Sequence, residues 1–355
     1  MRMKTFIQKK AMCMLMLTMV MLSLGILTSC DSMVYDYEGD CSVTYRLKFR
    51  YDMNLKWADA FANEVKSVNV YAFDEKGVLV WQKAERGAAL ASADYAMTLD
   101  LPAGKYQLIA WCGLDNEGGK QSFSVPVMTV GTSRMEELQC ALKRNRATTG
   151  EAYSNEMLDF LFHGTLNVDL PSNDDGGSYE YTMPLTKDTN HVRIILQHLS
   201  GQNVNVDDFT FRIEDENGLM NYDNSLKEDE NIIYHAWKTQ SGAAGVIIGN
   251  ETVNCTTAIA DITVARMTTD HARKMVLTIA RKNGEVVARV PVIDYALLAK
   301  DYYEEAYGHK MSDQEFLDRE DEYEMTFFLD ERDNWLSSYI MIHSWRVVLN
   351  NVDLD

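Results

Sequence analysis

The chain has 355 residues, with 34 Lys+Arg against 53 Asp+Glu and a formal net charge of −19. That balance argues against nucleic acid as a partner, because neutralising phosphates takes clustered Lys and Arg, and it disfavours electrostatic docking on anionic lipid. A hydrophobic content of 46% supports ordinary packed cores, and the acidic excess is read as solubility outside the cell.

The amino end carries the clearest pattern. Arg2, Lys4, Lys9 and Lys10 are followed by an apolar run from Ala11 to Leu27, interrupted only by Thr18 and Ser23, and then by Leu27-Thr28-Ser29-Cys30. A branched apolar residue, two small residues and Cys predict a lipoprotein signal peptide over 1–29. Leu27, Thr28 and Ser29 would be read by the signal peptidase, and Cys30 would take the acyl chains and hold the chain to outer-membrane lipid. A membrane-spanning anchor is the rival reading, but the run is short for roughly 30 Å of hydrocarbon. It also ends in small residues rather than a basic stop-transfer cluster. Without residues 1–29 and their four basic side chains, the chain has 30 basic against 53 acidic residues, a charge of −23. The remaining length suggests two domains at about 150 residues each.

Residues 30–42 read as an acidic tether. The first strand is then plain: Val43, Tyr45, Leu47, Phe49 and Tyr51 alternate with Thr44, Arg46, Lys48 and Arg50, the period-two pattern of one buried and one wet face. A short helix is expected around Trp57–Val65. Strands are expected at Ser67–Phe73 and Val78–Gln82 around the turn Asp74-Glu75-Lys76-Gly77, then at Tyr95–Leu101 and Tyr106–Cys112 around Pro102-Ala103-Gly104-Lys105. Further strands are expected at Ser122–Val130, Leu138–Lys143 and Thr165–Leu170. The stretch Pro171–Gly177 is rich in turn formers and reads as the linker between domains 43–170 and 171–355.

The second half repeats the style, with strands expected at Tyr179–Leu185, His191–Leu199, Asp208–Glu214, Ala258–Ala265, Lys274–Ala280 and Val286–Ile293, the last two around the hairpin turn Arg281-Lys282-Asn283-Gly284. Asp294–Arg319 breaks the pattern, since Tyr295, Leu298, Tyr302 and Ala306 recur at helical spacing. Strand periodicity returns over Tyr323–Leu329, Ile340–Ile342 and Trp345–Leu349. Many short strands, regular turns and few helices predict an all-β chain built of β-sandwiches.

The search for chemistry returns little. There is no HExxH, GxSxG, P-loop or dinucleotide fingerprint, so no catalytic residue, metal or cofactor is predicted. His191 and His198 flank an apolar strand seven residues apart, so they point to opposite faces and read as strand-end or surface residues rather than ligands. His163 in Phe-His-Gly reads as a structural hydrogen bonder. Asp174-Asp175, Asp207-Asp208 and Glu228-Asp229-Glu230 lack a calcium-loop spacing and read as solvated loops. Ser241–Gly249 is Gly/Ala-rich and reads as a close-packed β-bend rather than a phosphate cradle. Cys41, Cys112, Cys140 and Cys255 lack CxxC spacing; disulfides and buried thiols both stay open.

Several segments, in this order, resemble a known family: Cys30 in its lipobox, the opening YRLKF, the hairpin LDLPAGKYQLIAWCGLD, LFHG at Leu161–Gly164, NHVRIILQHLSG at Asn190–Gly201, and the closing IHSWRVVLNN. The chain resembles the FimB-type minor fimbrial anchor subunits of type V pili. The resemblance implies two tandem transthyretin-like sandwiches, a non-enzymatic role in adhesion, and a place in the fimbrium at the outer membrane. The partner it implies is a fimbrial shaft subunit, joined by β-strand addition. An anchor-type member is expected to keep its lipid and first strand and to limit fibre length. The closing strand, with Trp345, Val347 and Leu349 on one face, is the candidate strand-addition contact; completing its own core is the alternative. A shaft or tip subunit, a surface glycan-binding lipoprotein and an envelope hydrolase are the competing readings.

Overall fold

The computed structural model describes residues 43–115, 121–172, 176–248, 250–336, 339–342 and 345–348. The signal-peptide and lipid-site residues Leu27, Thr28, Ser29 and Cys30, the tether, Cys41 and Leu349 lie outside these. The chain divides into two compact units, residues 1–44 with 172–179, and residues 45–171 with 180–355. Of the first, only the strand ends at 43–44 and 177–179 and the adjoining residues 172 and 176 are described. The account below concerns the second unit, which is all-β with a few short helices.

The strand Val43–Arg50 buries Tyr45, Leu47 and Phe49, as its alternation predicts. It pairs antiparallel with Met97–Leu99 (Tyr45 opposite Leu99), and Gly177–Pro184 flanks it on the other side. Just beyond it, the Tyr51 ring meets Phe162 edge-on at 5.0 Å, in a five-stranded sheet ordered Thr186–Lys187, Phe162–Leu170, Gly104–Cys112, Ser67–Phe73 and Leu79–Arg86. In its central strand, Leu108, Ala110 and Cys112 alternate with Ile109 and Trp111, and all five are buried. A strand apolar on both faces must be covered on both. Ile109 and Trp111 join the large apolar cluster that also holds Ile194, Phe211, Ile262 and Phe327. The rings of Phe49, Phe61 and Tyr95 stack at 5.4 to 6.1 Å.

Two larger sheets enclose that cluster. One has six strands ordered Lys238–Ile248, Glu251–Ala265, Thr189–His198, Glu322–Leu329, Tyr339–Ile342 and Trp345–Val348. The other is ordered Val286–Pro291, Val276–Arg281, Phe209–Asp215, Ile232–His235, Ala152–Ser154 and Asn145–Arg146. Short strands from before Pro171 therefore sit in sheets with strands from after it, and Thr186–Lys187 does the reverse. Such exchanges are invisible to periodicity, because a two- or three-residue strand has no period to read.

Several expectations are corrected. Only Phe123–Ser124 of Ser122–Val130 is strand: Pro126 lacks an N–H, and Val127 is 96% exposed. The helix expected at Trp57–Val65 shrinks to Phe61–Glu64, since Trp57 takes a positive φ of 54° and the Asp59 carboxylate accepts from the N–H groups of both Tyr51 and Phe61. Ser241–Ile248 is not a bend but the greater part of an exposed strand, and its close packing is confined to the glycines, where a Cβ on Gly242 would come within 2.5 Å of Ile259. Glu228–Glu230 is not simply a solvated loop, because Arg144 lies 2.8 Å from Asp229 and Arg146 lies 2.7 Å from Glu230. Three helices, Val292–Leu297, Lys300–Tyr307 and Asp313–Arg319, fill the irregular stretch.

Candidate functional site

The strand Thr189–His198 is the axis of the six-stranded sheet. Val192, Ile194 and Leu196 are fully buried on one face, while Arg193, Ile195 and Gln197 are half-buried on the other. It pairs antiparallel with Glu251–Ala265 and parallel with Glu322–Leu329. From this axis the sheet runs out to two end strands, neither paired on its outer side among the described residues.

At one end is the closing strand, the predicted contact. Its described backbone pairs antiparallel with Tyr339–Ile342, placing Trp345 opposite Ile342 and Val347 opposite Ile340. Ile340 and Ile342 are fully buried and belong to the large cluster. Trp345 and Val347 are thus brought to a sheet edge, while Leu349 lies outside the described residues. At the other end is Lys238–Ile248, paired in unbroken register with Glu251–Ala265. Reading the sequence missed this edge, because Gly and Ala between Ser241 and Gly245 carry no strand signal. The apolar triplet Val246-Ile247-Ile248 was the only available hint.

The titratable groups are engaged in holding the fold. The His163 Nε2–H donates to the Tyr222 carbonyl at 2.8 Å, and burial pushes its pKa down to about 4, which keeps the ring neutral. His191 lies on the exposed face between Glu322 (2.6 Å) and Asp261 (3.1 Å), and the Glu322 bond raises its pKa. His198 is buried on the opposite face, 2.7 Å from Asp333. The buried Lys187 ammonium pairs with Asp321 and Glu64 and lies 3.6 Å from the centre of the Phe160 ring. Arg266 bridges Asp188 (2.6 Å) and Asp318 (2.9 Å) in the interior. Cys112, Cys140 and Cys255 are free and buried; burial raises the thiols of Cys112 and Cys140, which keeps them protonated.

Among the described residues, no group of three or more His, Cys, Asp or Glu is placed to hold a metal ion. No described helix is long and apolar enough to cross a membrane. A cavity of about 260 Å³ is lined by Phe160, Lys187, His191, Trp237, Asp321 and Glu322, and the buried indole Nε1–H of Trp237 has no partner among the described residues. Its ionic groups are already paired with one another, so nothing in it is poised as a nucleophile with a free base.

Residues 37–351 match the family described as Fimbrillin-A associated anchor proteins Mfa1 and Mfa2. The minor fimbrium anchoring subunit Mfa2 of Porphyromonas gingivalis is 24% identical over 214 residues, which span 59% of this chain and 62% of that protein. The solved structure of the fimbrial anchor protein Mfa2 from the same species shares the fold, with a TM-score of 0.62 at 17% identity over 87% of this chain and 99% of that one. A candidate adhesin of Bacteroides thetaiotaomicron aligns with a TM-score of 0.77 at 31% identity, covering 89% of this chain and 100% of that one. A second protein of that species, solved as a candidate polysaccharide-binding protein, has a TM-score of 0.73 at 29% identity and covers 87% of this chain and 99% of that one.

Proposed function

The chain belongs to the family of Fimbrillin-A associated anchor proteins, and from that premise we propose that it is the lipid-anchored base subunit of a fimbria. In this reading acylated Cys30 holds it in the outer membrane, and strand addition joins it non-enzymatically to the last shaft subunit and limits fibre length. The observation that carries the choice of base over shaft is the first strand. From Tyr45 onward it lies in its sheet with Tyr45, Leu47 and Phe49 buried. A subunit whose first strand stays in place has its own groove filled and accepts no donor there. Strand addition suits the joint because a donated strand gains a ladder of backbone hydrogen bonds and buries alternate side chains.

The closing strand is the proposed contact on this chain. Truncation before Ser344 separates its two roles: retained folding with detached fimbriae makes it the contact, and unfolding makes it core. The division into sandwiches at 43–170 and 171–355 is likewise proposed, and limited proteolysis is expected to nick within 171–177. The anchor role is tested by gene deletion and by Cys30→Ala. Deletion is expected to give fimbriae of altered length that shed from the cell, and Cys30→Ala to release the protein from membranes. Unchanged fimbrial length and attachment after deletion sinks the reading. Polysaccharide binding is the second reading, favoured by the likeness to the candidate polysaccharide-binding protein and by the Trp237 side of the 260 Å³ cavity; retardation of the protein in polysaccharide-containing gels, abolished by Trp237→Ala, would establish it.

A further inference from the structure

Sheet edges in this molecule are not alike. The outer strand of the five-stranded sheet, Leu79–Arg86, carries Lys83, Glu85 and Arg86, and its register is broken by a bulge between Ala72 and Phe73 of its neighbour. The outer strand Val286–Pro291 carries Arg289, ends in Pro291 and is bulged beside Ile279 and Ala280. Charge, Pro and bulges are the usual devices that keep an edge from pairing with another chain. The strand Lys238–Ile248 has none of them after its first residue. Thr239 to Ile248 contains no charge and no Pro, and the register runs without a shift from Lys238 opposite Asp261 to Ile248 opposite Glu251.

The same strand is weakly supported. Thr189–His198 pairs with Glu251–Ala265 only from Ala258 onward, so Gly242–Ile248 and Glu251–Thr257 form a two-stranded ribbon beyond the sheet. One patch of cover comes from the turn after His198: Asn203 Oδ1 accepts from the Thr256 N–H at 2.8 Å, and Thr256 Oγ1 donates to the Val204 carbonyl at 3.1 Å. The tip stays open, with Ile247 77% and Ile248 45% exposed. A two-stranded ribbon alone is marginal in water and gains most from a third strand.

We infer that the edge of Lys238–Ile248, unpaired among the described residues, is a second contact beside the closing strand and accepts an extended segment of the partner fimbrial subunit that lacks acidic residues and carries an apolar residue over Ile247 and Ile248; this rests on the anchor reading above. Eleven residues offer a donor and acceptor row about 37 Å long at 3.4 Å per residue. Only another extended backbone matches such a row. Charge sets the donor's composition, since the paired strand brings the exposed Glu251 beside the tip and the chain without residues 1–29 carries −23. A second copy fits poorly. It adds another −23, and antiparallel two-fold pairing over the full length of the strand sets Lys238 of one copy against Ile248 of the other, leaving the apolar tips unmatched.

The experiment follows backbone amide exchange in the full-length protein with and without fimbriae sheared from the same cells. It also compares retention of those fimbriae by the wild-type protein and by an Ala243→Lys, Ile247→Lys variant, both positions being exposed. The expected result is at least tenfold slower exchange within 238–248 on binding and a tenfold loss of retained fimbriae in the variant. Retention by both proteins with 238–248 unprotected overturns the edge inference and leaves the anchor reading standing. Protection of 238–248 that grows with protein concentration in the absence of fimbriae overturns it in favour of self-pairing. Failure of the wild-type protein to retain any fimbriae overturns the anchor reading and this inference with it.

Discussion

The strands beginning at Val43 and at Lys238 are both extended and are held by opposite means. The first is locked by side chains: Tyr45, Leu47 and Phe49 are at most 5% exposed, and Tyr51 just beyond it is 1% exposed. The second is held by its backbone ladder, with small residues along it and an apolar tip in water. The contrast teaches that strand pairing alone does not decide which strand a chain can release or share. The side chains decide it, because each fully buried large apolar group contributes roughly 1.5–3 kcal/mol while a backbone edge stays open to a new partner.

The sharpest way to break this comparison is to remove the first strand. Starting the chain after Arg50 exposes the pocket that held Tyr45, Leu47 and Phe49, at a cost on the order of 5–9 kcal/mol, comparable to a whole domain's stability. Loss of the cooperative urea transition is the expected outcome. Amino-terminal sequencing of surface material is expected to start before Val43; a start after Arg46 or Arg50 instead makes the protein a shaft subunit.

A smaller effect tests how the end of that strand is latched. The Arg319 guanidinium donates to the Asp52 carbonyl at 3.1 Å, pairs with Glu315 at 2.9 Å and stacks 3.5 Å from the Trp57 ring. Arg319→Ala removes all three and is expected to cost about 2–4 kcal/mol in chemical denaturation. Its neighbour Glu320 gives a pH signature. Burial raises this carboxyl from 4.5 to about 7, so the folded state holds a proton that the unfolded state releases. Stability from this group is therefore present below pH 4.5 and is lost as pH rises toward 7. Relative to Glu320→Gln, the wild-type protein should lose up to roughly 3 kcal/mol across that window, at about 1.4 kcal/mol per pH unit. A constant difference from pH 4 to 8 rules the shift out. The smallest effect is the most telling for the comparison. Ala243→Lys, on the open strand, is expected to move stability by no more than about 0.5 kcal/mol. A loss above 2 kcal/mol would mean that side-chain packing holds this strand too.

What could be read from the chain was whatever repeats along it. The alternation in YRLKF fixed the buried face of the first strand, Asn283-Gly284 marked a hairpin that exists between Val276–Arg281 and Val286–Pro291, and Phe-His-Gly pointed to a structural His163. The closing strand was also legible, since its apolar residues alternate, but its place at the end of a sheet comes only from the pairing order. By itself, then, the sequence determined the all-β class, the strand faces and the absence of a recognisable catalytic motif, because these depend on residues close together in the chain. Only the tertiary structure decided that Ala152–Ser154 pairs with Ile232–His235, that Lys187 meets Glu64 and Asp321, and that Gly242 to Gly245 stands in an exposed edge. Those outcomes depend on partners that are distant in sequence. A glycine, a lone lysine or a three-residue strand carries no local pattern naming its partner, and the partner is selected by which surfaces must be covered once the large apolar strands have packed.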